Sequence, residues 1–593
     1  MLNKLNSSNG EFRVHLISRK VTAFALTGTF SFSTILTGTL IANVFTVKAA
    51  NRPTTMSTNG MVTTPHYLAS QAAIDILKNG GNAVDAAIGA ASTLAVVYPH
   101  MNSIGGDSFW LIYNAKTKEL KALNASGRSS EKATIKFYQD LGYKKIPARG
   151  YLSANSVPGT ISGWDEAYKY AQKSMGNSLP WAQIMTPAIS YADKGFPVTP
   201  SQEIWTTTNI GQDNKELRDL QRFESFRKTY LNANNQPYKA GEVFKQPELT
   251  KTLKLIAAKG AKEFYQGEIA KNIVADVQAN KGILTVKDFA QHRANWVNPI
   301  SVNYREYQAY NFPPNTQGMA SLSILNILNN FDLKKIGEGT ADYYHVIVEA
   351  TKLAFADRDK YLSDPEFVKI PLDSLLSKQH GTELASRINL TKTVKEAKLL
   401  DPKGDTVWLG VVDKDGNSVS LIQSIYHDFG SGIVAKNTGV LLQNRGSFFS
   451  LDPTHVNHLE PRKRSFHTLN PAMLFKTGKP YLVYGTMGGE GQPQTQAALV
   501  TRIVDFGYSV QEAIEAPRWL QGRTWGAASN DLKIEGRVSK AVTEELVKRG
   551  HPVKMVNDYT DTMGHAGAIL IDPKTNVKSG GADPRGDGAA VGY

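Results

Sequence analysis

The stretch DTVWLGVVDKDGNSVSLIQS, residues 405–424, decides the fold. It contains two apolar runs, 407–412 and 419–423, separated by Lys-Asp-Gly-Asn at 414–417. Apolar runs of this length are typical of strands, and glycine accepts the positive φ that a tight turn between two strands requires. The stretch therefore predicts a β-hairpin.

The predicted register of this hairpin brings two hydroxyl side chains together. If the turn is centred on Asp415, residues at equal distances from it face each other across the two strands. Ser424 then lies opposite Thr406, to within about one residue of register.

The segments around the hairpin predict helices before it and further strands after it. Apolar residues recur at helical spacing, and glycines mark helix ends. This pattern predicts a mostly helical region at 180–400 and helices at 66–78, 82–97, 251–259, 318–330, 341–358, 495–504 and 510–515. Apolar runs predict strands at 109–113, 120–123, 439–443, 481–485 and 567–572. The alanine-rich helix at 82–97 should be buried. Helices first and paired strands later indicate a layered α/β or α+β architecture.

The composition is that of a packed globular protein. Of the 593 residues, 41% are hydrophobic and 20% are charged. The formal net charge is +14, but the basic residues are dispersed and show no aromatic–basic alternation or zinc-finger spacing, which excludes nucleic acid as a partner. A diffuse positive charge would instead suit electrostatic association with an anionic cell wall.

The absence of cysteine limits the chemistry. It excludes disulfides, thiolate zinc sites and cysteine nucleophiles. A covalent catalyst in this chain must therefore be a serine, threonine, lysine or carboxylate.

The N-terminal segment predicts export. Residues 21–47 carry no charge, they follow Arg19 and Lys20, and Val47-Lys48-Ala49 offers the small residues that a signal peptidase requires. We expect residues 1–49 to be a signal peptide and the protein to be secreted or held at the cell surface. A retained membrane anchor is the alternative interpretation.

Several ordered motifs resemble γ-glutamyltranspeptidases and their acylase relatives, over roughly residues 58–593. Besides the hairpin, they are GGNAVDAAIGAASTLAVVYPHMNSIGGDSF (80–109), VPGTISGWDE (157–166), FGSGIVAKNTGVLLQNR (429–445), LNPAM (469–473) and YGTMGGEGQPQTQ (484–496). The resemblance implies a four-layer αββα Ntn-hydrolase fold that processes itself into two interleaved subunits, residues 50–405 and 406–593. It implies no cofactor and no metal, although His427, His455, His458 and His467 cluster in the sequence.

By this resemblance the chain is cut between Asp405 and Thr406, and Thr406 becomes the catalytic nucleophile. A threonine hydroxyl is a poor nucleophile without a base within hydrogen-bond reach, and the new α-amine, with a pKa of about 7.7–8.0, supplies that base. From the residues alone, a turn that enters a strand is the preferred interpretation of 404–406, and spacing by itself does not show catalysis.

The resemblance assigns two further parts of the catalytic machinery. Ser424 stands where the family has a second threonine that activates the nucleophile, although a plain hydrophilic strand residue is an equal alternative. Gly488 and Gly489 match the oxyanion hole, and they follow an apolar run and precede a helix, where backbone N–H groups can converge on an anion. A nucleotide-phosphate loop is disfavoured because the expected Lys-Ser/Thr pair is missing.

The chain departs from the family where a γ-glutamyl α-amine would bind. Family members use an aspartate and a glutamine or glutamate there, but the matching positions hold Phe448 and Arg445. Tyr426 stands where an asparagine is usual. Burying an ammonium beside Arg445 without its acidic partner should cost several kcal/mol.

A second departure concerns the α-carboxylate, which the family binds with an arginine and two adjacent serines. Ser126 stands in the place of that arginine, Arg128 lies two residues on, and His467 and Thr468 replace the serine pair. The candidate substrate-binding residues are Arg445, Arg128, Tyr426, Phe448, His467 and Thr468.

These departures predict an amidase or acylase whose acyl group bears a carboxylate but no ammonium. Arg445 and Arg128 would bind that carboxylate, and glutaryl-type or oxamate-type amides would fit. A structural salt bridge is the competing interpretation of Arg445. The alternative functions are a conventional glutathione hydrolase or γ-glutamyl transpeptidase, acting on a small amide or peptide, and a non-catalytic cell-surface protein.

Overall fold

Two antiparallel sheets of seven strands each form the centre of the molecule. The computed structural model describes residues 52–394, 405–522 and 529–593, apart from residues 177, 212, 213 and 215. The predicted signal peptide at 1–49 lies outside the described residues. Within them, no helix combines the length and the apolarity needed to cross a bilayer.

The elements are numbered in chain order. The helices are α1 Tyr67–Lys78, α2 Ala83–Val97, α3 Ile135–Asp140, α4 Thr160–Ser174, α5 Trp181–Lys194, α6 Pro200–Asn209, α7 Glu224–Tyr230, α8 Pro247–Lys259, α9 Ala261–Gln266, α10 Glu268–Ala279, α11 Val286–Gln291, α12 Gly318–Leu328, α13 Leu333–Ile336, α14 Ala341–Tyr361, α15 Leu372–Leu375, α16 Lys378–Ser386, α17 Gly491–Val504, α18 Val510–Glu515 and α19 Lys540–Lys548. The strands are β1 Thr55–Ser57, β2 Met61–Thr64, β3 Asp107–Asn114, β4 Glu119–Ala125, β5 Phe196–Pro197, β6 Val243–Phe244, β7 Asn295–Val297, β8 Ile300–Tyr304, β9 Tyr307–Asn311, β10 Asp405–Val412, β11 Ser418–Tyr426, β12 Val434–Ala435, β13 Val440–Leu441, β14 Ala472–Lys476, β15 Lys479–Thr486, β16 Trp519–Gln521, β17 Leu532–Glu535, β18 Val553–Val556, β19 Ala566–Ile571, β20 Lys578–Ala582 and β21 Ala589–Gly592. Short 3₁₀ helices occur at Leu220–Arg222, Arg445–Phe448 and Asp561–Met563.

Both large sheets combine strands from the two sides of residue 405. The hairpin sheet has the order β21-β2-β10-β11-β3-β4-β7, and the second sheet has the order β1-β20-β19-β15-β14-β9-β8. The predicted hairpin is confirmed as β10 and β11, and β10 lies between β2 and β11. The two halves of the chain are therefore interleaved.

The side chains of β10 alternate between two hydrophobic cores, which explains how the layers of the fold are stacked. Val407, Leu409 and Val411 belong to the core shared with α1 and α2, whereas Trp408 and Val412 belong to the core between the two sheets. Successive side chains of a strand point to opposite faces, so one strand can serve both cores. A third core packs α12, α14 and α17 on the other face of the second sheet. The predicted four-layer αββα fold is confirmed.

The alanine-rich helix α2 is buried along its whole length, as predicted. A Cβ atom on its Gly89 would overlap the Ile76 side chain of α1, so small residues allow the two helices to approach closely. A capping box formed by Asn82 and Asp85 begins the helix.

The prediction of a mostly helical region at 180–400 is wrong for residues 295–311, which form β7, β8 and β9. In β9 buried and half-buried residues alternate, with polar side chains between the apolar ones. Such a mixed run gives a weak strand signal, and pairing with β14 stabilises it.

The indole of Trp408 fixes how the two sheets stack. It packs on Gly485 and Gly567, which form a cross-strand pair in the second sheet, and its Nε1 donates a hydrogen bond to Ser420 Oγ at 2.9 Å. A Cβ atom added at Gly567 would lie 2.6 Å from the ring, and one at Gly485 would lie closer still. Because the two glycines have no side chains, they leave the space that the indole occupies.

We expect Gly485→Ala to lower the free energy of unfolding by about 1–3 kcal/mol, because the new methyl group overpacks the contact with Trp408. Urea unfolding followed by circular dichroism measures the loss. In a Trp408→Leu background the same substitution should cost less, since the ring is gone. An equal cost in both backgrounds would contradict the role of the indole.

Candidate active site

Thr406 lies at an irregularity in the hairpin. Asp405 pairs with Tyr426 and Val407 pairs with Gln423, so residues 424 and 425 both lie opposite Thr406. The predicted register, with Ser424 opposite Thr406 to within one residue, is confirmed. Thr406 is fully buried, and its Oγ1 has no hydrogen-bond partner among the described residues.

The stacking of the sheets brings Thr406 to the end of β15. Gly410 lies against Ile569 and Trp408 lies against Gly567, so β19 runs in the same direction as β10. Because β15 is antiparallel to β19, it ends beside the start of β10. Thr406 shares the inward face with Trp408, and it therefore faces the segment that leaves β15.

That segment contains the predicted glycine pair. Gly488 and Gly489 have φ values of 119° and 54°, which favour glycine. In the described part of the chain neither N–H group donates a hydrogen bond to another residue. Helix α17 begins two residues later, so its positive end lies next to these donors. The arrangement can bind an anion or a developing oxyanion.

Gln317, which the sequence analysis missed, joins the glycine pair to the segment at 467–468. Its Nε2 donates to the carbonyl oxygens of Thr468 at 2.7 Å and Gly489 at 2.9 Å, and its Oε1 accepts from Arg358 Nη1 at 3.0 Å. Arg358 also bonds Glu490 at 3.1 Å. The available signal was a polar run, Asn315-Thr316-Gln317, between a strand and a buried helix.

Ser424 is buried at the end of β11, and its Oγ accepts a hydrogen bond from the N–H of Tyr426 at 2.8 Å. On its other side it pairs in register with Asp107 of β3. The residue thus lies between Thr406 and a carboxylate-bearing strand.

Arg445 is the most unusual group in the site. Its side chain is 1% exposed, and none of its three guanidinium nitrogens has a hydrogen-bond partner among the described residues. The guanidinium lies over the ring of Tyr426, 4.1 Å from the centroid, and burial lowers the pKa of Arg445 to about 10. A structural salt bridge, the alternative interpretation, is not found within the described residues. Buried polar groups are normally bonded, so an unpaired guanidinium indicates a binding function.

Asp107 is a second residue that the sequence analysis missed. Its Oδ2 lies 3.2 Å from His467 Nε2. Its Oδ1 accepts hydrogen bonds from Gly127 N at 2.9 Å, Gly159 N at 3.0 Å and Gln443 Nε2 at 3.0 Å. Oδ1 is therefore fully engaged, whereas Oδ2 faces His467 and has no hydrogen-bond partner among the described residues.

His467 and Thr468 line the same buried region. Burial, with the nearby charge of Arg445, lowers the pKa of His467 to about 4, so its imidazole is neutral near pH 7. The hydroxyl of Thr468 is buried without a hydrogen-bond partner in the described chain. Both positions thus bury unpaired polar atoms, and the charge of Arg445 acts on His467.

Aromatic side chains form the outer wall. Tyr426 adopts a φ of 82° and meets Phe448 edge to face at 5.5 Å, and Phe448 packs on Phe466 at 4.7 Å. Tyr426, Phe448 and Phe449 line a cavity of about 280 Å³, together with polar residues that include Lys145 and Glu216. This wall can hold an apolar part of a substrate.

Arg128 is paired with acids of the chain itself, and its binding of a substrate carboxylate stays a prediction. It forms ion pairs with Asp364, at 3.5 Å, and with Glu366. Ser126, at the place of the family arginine, donates from its Oγ to Asn124 Oδ1 at 2.7 Å. The carboxylate partners of Arg128 belong to the chain itself.

Comparisons with known proteins agree with this geometry. The profile of the gamma-glutamyltranspeptidase family matches residues 69–593. The chain is 48% identical over 539 residues to the glutathione hydrolase-like YwrD proenzyme of Bacillus subtilis, covering 91% of this chain and 99% of that protein. It is 44% identical over 538 residues to the oxamate amidohydrolase proenzyme of Klebsiella pneumoniae, with coverages of 91% and 99%. Among solved structures, a cephalosporin acylase from Bacillus halodurans superposes with a TM-score of 0.84 at 37% identity, over 92% of this chain and 98% of that one.

The buried, neutral His467 predicts a loss of stability in acid. Its pKa is about 4 when folded against an ordinary 6.5, so between these values the unfolded chain binds a proton that the folded protein does not. The free energy of unfolding should therefore fall as the pH drops from 6.5 to 4, by up to about 3 kcal/mol from this residue.

Urea unfolding of the wild type and of His467→Gln, at pH 7 and at pH 4.5, measures this contribution. The variant should show the weaker pH dependence, although other buried histidines contribute to both proteins. An identical dependence in the two proteins would contradict the prediction.

Proposed function

The chain belongs to the gamma-glutamyltranspeptidase family of hydrolases, and on that premise we propose that it cuts itself before Thr406 and then hydrolyses amides with Thr406 as the nucleophile. The observation that carries the proposal is the buried, unpartnered hydroxyl of Thr406 at the start of β10, the end at which the stacking of the sheets also places the segment with the free N–H groups of Gly488 and Gly489. Two of the relatives described above are named proenzymes, which supports processing.

Self-cleavage follows from the position of Thr406. Its hydroxyl attacks the carbonyl carbon of Asp405, the peptide nitrogen leaves as the amine of Thr406, and water hydrolyses the resulting ester. The products are residues 50–405 with a new carboxylate and residues 406–593 with a free α-amine. One residue then holds both nucleophile and base.

Amide hydrolysis uses the same groups. The α-amine accepts the proton of the Thr406 hydroxyl as the oxygen attacks the substrate carbonyl, and the N–H groups of Gly488 and Gly489 stabilise the oxyanion. The proton passes to the leaving amine, and water then releases the acid from the acyl-enzyme. Ser424, beside Thr406 on the paired strand, would orient the nucleophile.

Arg445 supports a substrate whose acyl group carries a carboxylate and no ammonium. An unpaired, buried guanidinium is complementary to a carboxylate, which it can bind through two parallel hydrogen bonds. Asp107, the acid whose charge acts on Arg445, already accepts three hydrogen bonds on Oδ1, so the repulsion between Arg445 and a substrate ammonium would be poorly compensated. Glutaryl and oxalyl amides have the required charge, and one relative is named an oxamate amidohydrolase.

A conventional glutathione hydrolase is the second candidate. A relative of that name from Escherichia coli is 33% identical over 557 residues. The charges around Arg445 disfavour the γ-glutamyl α-amine. A non-catalytic surface protein is disfavoured by the unpaired polar atoms gathered at Thr406, Arg445 and Thr468, which a purely structural core would not retain.

We further propose that the protein is exported, with residues 1–49 removed as a signal peptide. The formal net charge of +14 for the full chain falls to +10 when residues 1–49 are removed, and this positive charge supports electrostatic association with an anionic cell wall.

Thr406→Ala should leave the precursor intact, since the attacking hydroxyl is removed. Intact-mass measurement of the wild type should give two fragments that divide before residue 406, and the variant should give one chain. A whole chain in both proteins would rule out self-processing.

Arg445→Gln should lower kcat/KM for glutaryl-p-nitroanilide by about 10- to 100-fold, because a hydrogen bond between charged groups contributes about 1.5–3 kcal/mol. Butyryl-p-nitroanilide, which lacks the carboxylate, is the matched control and should change little. The wild type should prefer glutaryl- over γ-glutamyl-p-nitroanilide. The opposite preference would refute the proposed role of Arg445 while leaving the nucleophile intact.

A further inference from the structure

A cleft of about 430 Å³ lies outside the site described above. It opens where the loop after β4, the end of α11, the loop after α14 and the segment before His467 meet. Its lining contains four arginines, Arg128, Arg293, Arg462 and Arg464, and two acids, Asp288 and Glu366. Positive charge is therefore in excess.

The two acids of this arginine cleft are occupied by the protein. Asp288 caps α11 and accepts hydrogen bonds from Ser130 and from the backbone of Glu131. Glu366 is shared between Arg128 and Arg464, the latter at 3.2 Å. Neither carboxylate is available to Arg293.

Arg293 lacks an acidic partner in the described chain. Its guanidinium donates only to the carbonyl oxygens of Ala290, at 2.9 Å, and His292, at 2.6 Å. Arg462, at the opposite rim, pairs with Glu131 at 2.7 Å. Both arginines are exposed, so they can turn toward a bound anion.

His292 adds an unpaired polar group to the lining. Its side chain is 6% exposed, and its Nε2 has no hydrogen-bond partner among the described residues. Burial and the charges of Arg464, Arg128 and Arg293 lower the pKa of His292 to about 3. The charges of three arginines thus act on one neutral imidazole, opposed by Asp107, and a bound anion would offset them further.

We propose that the arginine cleft binds a phosphate group, held by Arg293, Arg462 and Arg464 with His292 as a neutral donor. Arginine forks match phosphate oxygens in two parallel hydrogen bonds, and a dianion offsets more of the excess charge than a single carboxylate does. The volume lies in the range of small-molecule sites, so the cleft can hold a phosphate monoester as well as free phosphate.

The cleft adjoins the candidate active site through one segment. Arg464 Nε donates to the carbonyl oxygen of Ser126 at 3.3 Å, and the N–H of Gly127 donates to Asp107 at 2.9 Å. A ligand in the cleft would therefore lie next to the segment that the cleft and the candidate active site share. It would not touch Arg445, which lines no part of the cleft.

Isothermal titration calorimetry of the purified protein with orthophosphate and with glycerol 3-phosphate, at constant ionic strength, tests the proposal. We expect one saturable site. Arg293→Glu and Arg462→Glu should each weaken it by about 10-fold or more, since each replaces a charged donor by a repelling carboxylate. Tighter binding of the ester identifies a monoester as the ligand, and equal or weaker binding identifies the free ion.

Two controls locate the site. Arg387→Glu removes an exposed arginine that directly follows α16 and pairs with Glu383, and it should leave the affinity unchanged. Arg445→Gln should also leave it unchanged. Absence of saturable binding, equal weakening by Arg387→Glu, or loss of binding in Arg445→Gln would each overturn the proposal. Thermal unfolding of every variant confirms that it is folded.

Discussion

The contact of the Trp408 indole with the paired glycines of the second sheet is the interaction on which the rest of the structure depends. It fixes the separation and the direction in which β10 lies over β15 and β19. Because Thr406 is two residues before Trp408, and Gly488 three residues after Gly485, the same contact sets the nucleophile beside the glycine pair. The Trp408 side chain thus determines both the packing of the sheets and the position of the nucleophile.

The candidate site buries polar groups without the hydrogen bonds that such groups have in the remainder of the fold. Thr406, Arg445, His467 and Thr468 bury polar atoms without partners in the described chain. Such groups cost free energy, and they persist where surrounding contacts hold them. Gln317 and Asp107 supply those contacts, by tying the glycine loop to residues 467–468 and by anchoring the segments around β3.

The hairpin and its register follow from local sequence, since a glycine turn and two apolar runs specify both. The four layers came from the family resemblance, and β7 to β9 were missed because their half-buried, polar-rich runs depend on pairing with distant strands. Asp107 and Gln317 act through partners far along the chain, which no local pattern reveals. The ion pair of Arg128 was not predicted for the same reason: its acidic partner Asp364 is 236 residues away.

The interleaving of strands has a consequence for the molecule after a cut before Thr406. The new end would lie in the middle of the hairpin sheet, with β2 on one side and β11 on the other, and β21 at the end of the chain pairs with β2 near its beginning. The two fragments would then be held together by strand pairing within both sheets and not by contact between two separate surfaces. They could not exchange with pieces of another molecule without complete unfolding, so each molecule would keep for its lifetime the two halves with which it was synthesised.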